Sequence, residues 1–402
     1  MGYCTELGTL RQLLAAGFNR RQKRMKYALA TNMTAQLHDI SAKVKDNVFN
    51  LARGSDFTLA TQQDVSVEMA ISSPDWSLYT LDFERDIAVF VELPPGSDLS
   101  EAVLAYKTQY ELAQRAITMP LDAMIALAKK AQPLPKLAFL FSTARCGSTL
   151  ASKIMGQIPG VWSLSEPEFL TNITYARRDL DPARAKALIL AGTRLICRPP
   201  LSRLVDTVVI KPRSEPIAIA EWIVQALPDA NHAFLYRDAE GFVNSVHRFL
   251  QRAVGENYSE EEYWHSFWHF SLINGPLSLM DDYIGKSAAE VQSHEVHTLM
   301  WLLRIEGYLA TLSQGIPMTP LHYRDLNEDR TEGTKALLKA CGISQAHLEL
   351  ALRGFDKDAH EGSESANATP AKPLTALEIA EVQAMLTRLG RPNYRHTRLP
   401  TA

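Results

Sequence analysis

No segment of the 402 residues carries a long uninterrupted apolar run: the best, such as 87–91 and 137–141, are a handful of residues each. A bilayer-crossing helix needs about 20 such residues, so none is expected. Cysteine is also scarce. The four thiols, Cys4, Cys146, Cys197 and Cys341, lie far apart with no CxxC pair and no zinc spacing, which excludes a disulfide scaffold and points to a reducing compartment. The first residues lack the apolar core of a secretory signal, and Glu6 stands where an N-myristoylation site needs Ser or Thr. A cytoplasmic location is expected. No excess of positive charge exists either: the net charge is −3, which gives no electrostatic reason to expect a nucleic-acid partner. The basic run at Arg20, Arg21, Lys23, Arg24 and Lys26 reads as the wet face of a helix. His294 and His297 miss the HExxH spacing, so no metal site is expected.

What remains, 46% apolar and 22% charged, is an ordinary globular composition, long enough for a main domain with an appended region. Residues 1–132 read as mostly helical, with a small hairpin of runs 76–81 and 86–91 around Asp82-Phe83-Glu84-Arg85. Pro94-Pro95-Gly96 ends that unit, and Asp98 or Ser100 could cap a helix running to Ile117.

Pro133-Leu134-Pro135 marks a boundary. Beyond it, short apolar strands at 137–141, 205–210, 233–236 and 320–323 alternate with amphipathic stretches. Helices are expected from Gly147 or Ser148 and over 215–227, 239–252, 259–313 and 331–340. Such alternation implies an α/β fold, a parallel sheet covered by helices on both faces, over 136–360. Residues 361–402 add a small polar stretch, EGSESANATPAKP, and a last helix over 376–389.

Chemistry concentrates at the first of these strands. The order LAFLF, STARCGST, LASKIM is strand, small-residue loop, helix start, which aims successive backbone N–H groups and a positive helix end at an oxyanion. Ser148 and Thr149 add hydroxyls and Arg145 a fixed charge. A nucleoside-triphosphate loop would read GxxxxGK[ST], but Ser148 follows Gly147 where Lys is required. ATP and GTP chemistry is therefore disfavoured.

Residues 142–149 resemble the 5′-phosphosulfate loop of sulfotransferases that use 3′-phosphoadenylyl sulfate (PAPS), in the variant of bacterial and carbohydrate-type members. Leu150 stands near where many members carry an adenine-stacking aromatic. The segment 233–248, AFLYRDAEGFVNSVHR, resembles the family's 3′-phosphate motif, a strand ending in Arg237 with Ser245 eight residues on. A guanidinium there can grip a phosphate with two N–H groups. The alternative for Arg237-Asp238 is a surface ion pair. His322-Tyr323-Arg324-Asp325-Leu326, with a helix ending at Cys341-Gly342-Ile343, resembles a third, structural element.

The resemblance implies a P-loop-type sulfotransferase with PAPS as co-substrate, adenosine 3′,5′-bisphosphate as product and no metal. The acceptor would be a hydroxyl of a small molecule, lipid or sugar. Arg145, Cys146, Gly147, Ser148, Thr149, Arg237 and Ser245 would hold the donor. Glu166, in Leu164-Ser165-Glu166-Pro167-Glu168, would be the general base, with Glu168, His247, His265 and His269 as alternatives. The same stretch also reads as a helix N-terminus capped by Ser165. Lys211, ending its strand, would stabilise the transition state, with Arg213 in reserve. His360 and the 361–373 loop could close over the donor. Competing readings are a P-loop nucleotide kinase and a non-catalytic nucleotide-binding protein.

Overall fold

The computed structural model describes residues 34–45, 50–253, 286, 290–356, 373–391 and 398–401. They build two five-stranded sheets.

Among the described residues, the first sheet corrects the expectation of a mostly helical N-terminal region. Strands β1 (Thr34–Lys43), β2 (Phe57–Ser66), β3 (Trp76–Asp82), β4 (Ile87–Glu92) and β5 (Arg115–Pro120) pair antiparallel in the order β2-β1-β5-β4-β3. The β3–β4 hairpin is the expected one. Its turn is tied by Asp82, whose Oδ1 accepts from the N–H groups of Glu84 and Arg85, both at 3.0 Å. The expected helix to Ile117 is cut short. Asp98 caps only a 3₁₀ turn, helix α1 spans Ala105–Leu112, and Ile117 lies in β5 between β1 and β4. Helix α2 (Leu121–Ala128) then leads to the second sheet.

That sheet is parallel and flanked by helices, as the alternating pattern implies. Strands β6 (Lys136–Ser142), β7 (Val161–Ser165), β8 (Thr207–Lys211), β9 (Asn231–Tyr236) and β10 (Thr319–His322) lie in the order β10-β9-β6-β8-β7. Side chains of successive strand residues alternate between faces. Phe139, Phe141, Ile210 and Phe234 join the larger core, whereas Ala138, Leu140, Val209 and Leu235 join a smaller one. Helix α3 (Ser148–Gly156) covers the smaller side through Ala151, Ile154 and Met155. Helices α4 (Phe169–Ala176) and α5 (Pro182–Ile196) link β7 to β8, and α6 (Ala220–Ala226) links β8 to β9. Helices α7 (Ala239–Ala253) and α8 (Ser293–Ser313) lie between β9 and β10. Four more follow: α9 (Tyr323–Glu328), α10 (Arg330–Ala340), α11 (Leu348–Leu352) and α12 (Ala376–Arg388).

Strand β7 went unread in the sequence. It is five residues long, and two serines break its apolar run. No described helix is long and apolar enough to cross a membrane.

The two sheets are joined by polar groups that satisfy each other. Asn172 of α4 accepts from Thr80 Oγ1 and Leu81 N, both at 3.1 Å, and donates to Ala52 O at 3.2 Å. Buried amides leave few unpaired atoms when bonded this way, so the contact specifies one docking geometry.

His232 of β9 illustrates the opposite case. Its ring stacks on Phe139 and Phe141 at 5.7 and 6.2 Å, and among the described residues neither ring nitrogen has a hydrogen-bond partner. Burial lowers its pKa from 6.5 to about 4. The unfolded chain takes up this proton as pH falls below the ordinary value, and the folded chain does not until about pH 4. Stability present at neutral pH is therefore lost as pH drops, by about 2 kcal/mol at pH 5. His232→Phe is expected to abolish that share of the acid sensitivity, seen as a smaller drop in urea midpoint between pH 7.5 and 5. An unchanged drop would show that the ring protonates freely in the fold.

Candidate functional site

The C-terminal ends of β6, β8 and β9 meet at one edge of the parallel sheet, where open α/β sheets bind ligands. After β6 the chain reverses sharply. Ala144, Arg145 and Gly147 all adopt left-handed backbone, at φ 64°, 49° and 80°. Residues alternating into this region turn their N–H groups towards a common concavity, an anion nest, directly before the N-terminus of α3. Gly147 is required twice over. Its φ disfavours other residues, and a Cβ there would lie 2.6 Å from the Tyr323 ring. Thr143 N donates to Leu235 O at 3.1 Å, so the loop starts from a fixed point.

Cys146 hangs beneath the loop, fully buried, with Sγ donating to Leu235 O at 3.2 Å. Burial pushes its thiol up, so it is neither nucleophile nor ligand through sulfur. Any share it takes in anion binding comes from its backbone N–H. Ser148 opens α3 and is nearly covered, and Thr149 is half-buried.

Arg145, Arg237 and Ser245 come together. Arg145 Nε donates to Ser245 Oγ at 3.3 Å, and its guanidinium lies 4.7 Å from the Phe249 ring centroid. Arg237, one residue past β9, lies 4.8 Å over the Tyr323 ring and donates to Arg145 O at 3.4 Å. Its carbonyl is fixed by Trp301 Nε1 at 2.8 Å. Gly241 leaves room for it, since a Cβ there would stand 2.6 Å from Arg237 Nε. Asp238 meanwhile turns to His322 Nε2 at 3.1 Å and Arg324 Nη2 at 2.9 Å. The strand-end Arg-Asp therefore divides its work: the acid braces the scaffold while the guanidinium faces the loop.

A second pair stands at the end of β8. Lys211, only 2% exposed, places Nζ 2.5 Å from Glu166 Oε1. Glu166 N donates to Lys211 O at 2.6 Å, extending the β7–β8 ladder by one bond. Glu166 has φ 57°, a conformation that costs a non-glycine residue about 1–3 kcal/mol and persists only where neighbours impose it. The helix N-terminus reading of this stretch does not hold. Ser165 ends β7 and its Oγ donates to Val103 O at 2.7 Å, while α4 begins only at Phe169.

The alternatives to Glu166 fall elsewhere. Glu168 is fully buried, accepting from Arg213 Nε at 2.8 Å and from Ala52 N at 2.9 Å, which removes it as a base and Arg213 as a reserve cation. His247 sits two residues beyond Ser245 on α7, about 200° round the helix and so on its other side. His265, His269, His360 and the 361–372 loop lie outside the described residues. Of the residues that hold the two arginines, Phe249 and Trp301 carry no signal in the sequence, and Tyr323 is visible there only as part of a structural element. Only the position of Tyr323, next to a strand end at the same edge, was a usable signal.

Bordering Arg237 is a cavity of about 200 Å³ lined by Tyr236, Trp301, Ile305, Leu309 and the segment 398–400. Leu399 N donates to Tyr236 Oη at 3.0 Å and Tyr308 Oη to Pro400 O at 2.5 Å, so this terminal segment walls it. The cavity does not reach Glu166 or Lys211. Among the described residues no three His, Cys, Asp or Glu side chains gather as a metal set.

No protein-family model and no curated protein matches this sequence. Solved structures that match include sulfotransferase STF9 from Mycobacterium avium, at 11% identity and TM-score 0.37, covering 67% of this chain and 80% of that one. The sulfotransferase domain of the Synechococcus PCC 7002 olefin synthase matches at 14% identity and TM-score 0.31, covering 68% and 91%. Mouse sulfotransferase SULT7A1 complexed with PAP matches at 11% identity and TM-score 0.34, covering 66% and 88%.

Proposed function

We propose that this chain transfers a sulfonate from PAPS to the hydroxyl of a small-molecule, lipid or sugar acceptor. The observation that carries the reading is one sheet edge holding two separate anion-binding halves. The left-handed loop with Arg145 suits the 5′-phosphosulfate, and Arg237 suits a second phosphate beside it, with Ser245, which meets Arg145 Nε in this structure, as a further donor. A donor phosphorylated at both the 3′ and 5′ positions needs both halves.

In-line transfer then distributes the work among residues already in place. The acceptor oxygen forms a bond to sulfur as the bond from sulfur to the bridging phosphate oxygen breaks, and adenosine 3′,5′-bisphosphate leaves. Glu166 Oε takes the hydroxyl proton. Lys211 has three N–H donors, of which, among the described residues, Glu166 engages one, so others remain to meet charge building on the bridging oxygen. The Arg145 guanidinium adds a second cation. The buried position of Lys211 strengthens its effect, because little water intervenes.

A nucleotide kinase would use a loop lysine on the β- and γ-phosphates, and Ser148 occupies that place. A merely nucleotide-binding protein would have no use for Glu166 held in a strained conformation against Lys211. A cytoplasmic setting fits Cys146, Cys197 and Cys341, which are buried free thiols. Incubation with radiolabelled PAPS and a panel of phenols, sterols and sugars tests the function. Label is expected on at least one hydroxyl, with matching bisphosphate release. Label remaining on the donor across the panel, while γ-labelled ATP with Mg²⁺ phosphorylates an acceptor, would overturn it.

A further inference from the structure

Two ion pairs stand as successive rungs between the ends of β7 and β8. Lys211–Glu166 is the first, and Arg213–Glu168, two residues along each segment, is the second. The first lies at the end of the strand next to β6, near enough for the Lys211 charge to act on Cys146 of the loop. The second is enclosed, and what encloses it is the N-terminal sheet region. Glu168 divides its oxygens, Oε2 taking Arg213 Nε and Oε1 taking the N–H of Ala52, just ahead of β2. Arg213 lies 3.9 Å over the ring of Tyr106 in α1. Lys45, at the end of β1, adds a buried positive charge towards Glu168 and is paired with Asp56 at 3.2 Å.

The strained residue is thus pinned on both flanks by the same region. Ser165, before it, is tied to Val103 O, and Glu168, after it, to Ala52 N. Stability alone does not account for a charged rung here. Buried ion pairs often exchange for apolar residues without loss, because desolvation offsets their attraction. What a buried, directional pair supplies is one geometry, and the residue between these anchors stays left-handed only where its surroundings impose that conformation.

We infer that Glu168 is a positioning residue, and that the N-terminal sheet region acts through it and Ser165 to hold Glu166 in its proton-accepting geometry. This rests on the reading of Glu166 as the base. Residues 34–130 are then part of the catalytic unit and not an independent appendage.

The test uses the full chain, with water as acceptor so that no acceptor need be known. Release of labelled sulfate from PAPS gives the rate, and calorimetry with adenosine 3′,5′-bisphosphate gives donor-site affinity. Glu168→Gln keeps the shape and the Ala52 contact but removes the charge. It is expected to slow release about 30-fold, as small misplacements of a reacting group do, with affinity changed less than about twofold. In a Glu166→Gln background the same substitution should change nothing further, because it acts through Glu166. Lys45→Met, made from the N-terminal side, should show the same pattern at about fivefold, and serves if Glu168→Gln fails to fold. A wild-type rate in both variants, or losses that multiply in the double variants, would overturn the positioning role while leaving Glu166 as base. A wild-type rate for Glu166→Gln alone would remove the base assignment and this inference with it.

Discussion

Glu166→Gln is expected to lower the rate of sulfonate transfer by about 10²–10⁴-fold, the usual contribution of a positioned general base, while adenosine 3′,5′-bisphosphate binds as before. Glutamine matches glutamate in shape and can keep the backbone bond to Lys211 O and a contact to Lys211 Nζ. It cannot take a proton from a hydroxyl. The anion loop and Arg237 lie on other segments of the sheet edge, so donor affinity should be insensitive to the change. Steady-state rates with the labelled-donor assay, beside calorimetry with the bisphosphate, separate the two quantities. Loss of affinity together with rate would show that Glu166 braces the site through Lys211, whose ammonium has that carboxylate as its partner.

Arg237→Ala is expected to weaken the bisphosphate by at least about 100-fold, in keeping with the truncation of one partner in an enclosed charge pair. The guanidinium is held ready: Tyr323 lies beneath it, Gly241 leaves space beside it and Trp301 fixes its backbone carbonyl. Because Arg237 also donates to Arg145 O, its loss could loosen the loop as well. Adenosine 5′-phosphosulfate, which lacks the 3′-phosphate, distinguishes the two effects. If Arg237 grips the 3′-phosphate, this analogue binds wild type and variant equally. Equal losses for both ligands would make Arg237 a support for the loop. Arg237→Lys should recover only part of the affinity, since an ammonium offers neither a planar face to Tyr323 nor a two-pronged grip.

The parallel sheet was legible because β6, β8 and β9 are covered on both faces and so read as nearly continuous apolar runs. The loop after β6 was legible because small residues between a strand and a helix have few other uses. The first sheet was not. Strands β1 and β2, TAQLHDISAK and FTLATQQDVS, are largely exposed and carry no clean alternation, and their pairing comes from partners far along the chain. Residues 115–117 read as the tail of a helix, whereas β1 and β4 close on either side and make 115–120 a strand. Arg145, Arg237 and Ser245 could be named because the segments 142–149 and 233–248 resemble sulfotransferase motifs, and Lys211 because that resemblance implies a cation at the end of the strand between them. The fate of Glu168 could not. Its neighbours in sequence suggest a helix start, and only contacts with Ala52 and Arg213, 116 and 45 residues away, commit it to the interior.

The claim that two anion-binding halves share one edge is tested most directly by the thermal stability of the unmodified chain with each of two nucleotides. A ligand that binds only the folded state raises the melting temperature in proportion to the logarithm of its concentration over Kd. Adenosine 3′,5′-bisphosphate should raise it in a dose-dependent way without added metal, and ATP with Mg²⁺ should not. Stabilisation by ATP–Mg²⁺ and none by the bisphosphate would contradict the assignment of Arg237 and Ser245 to a 3′-phosphate, and with it the sulfonate donor.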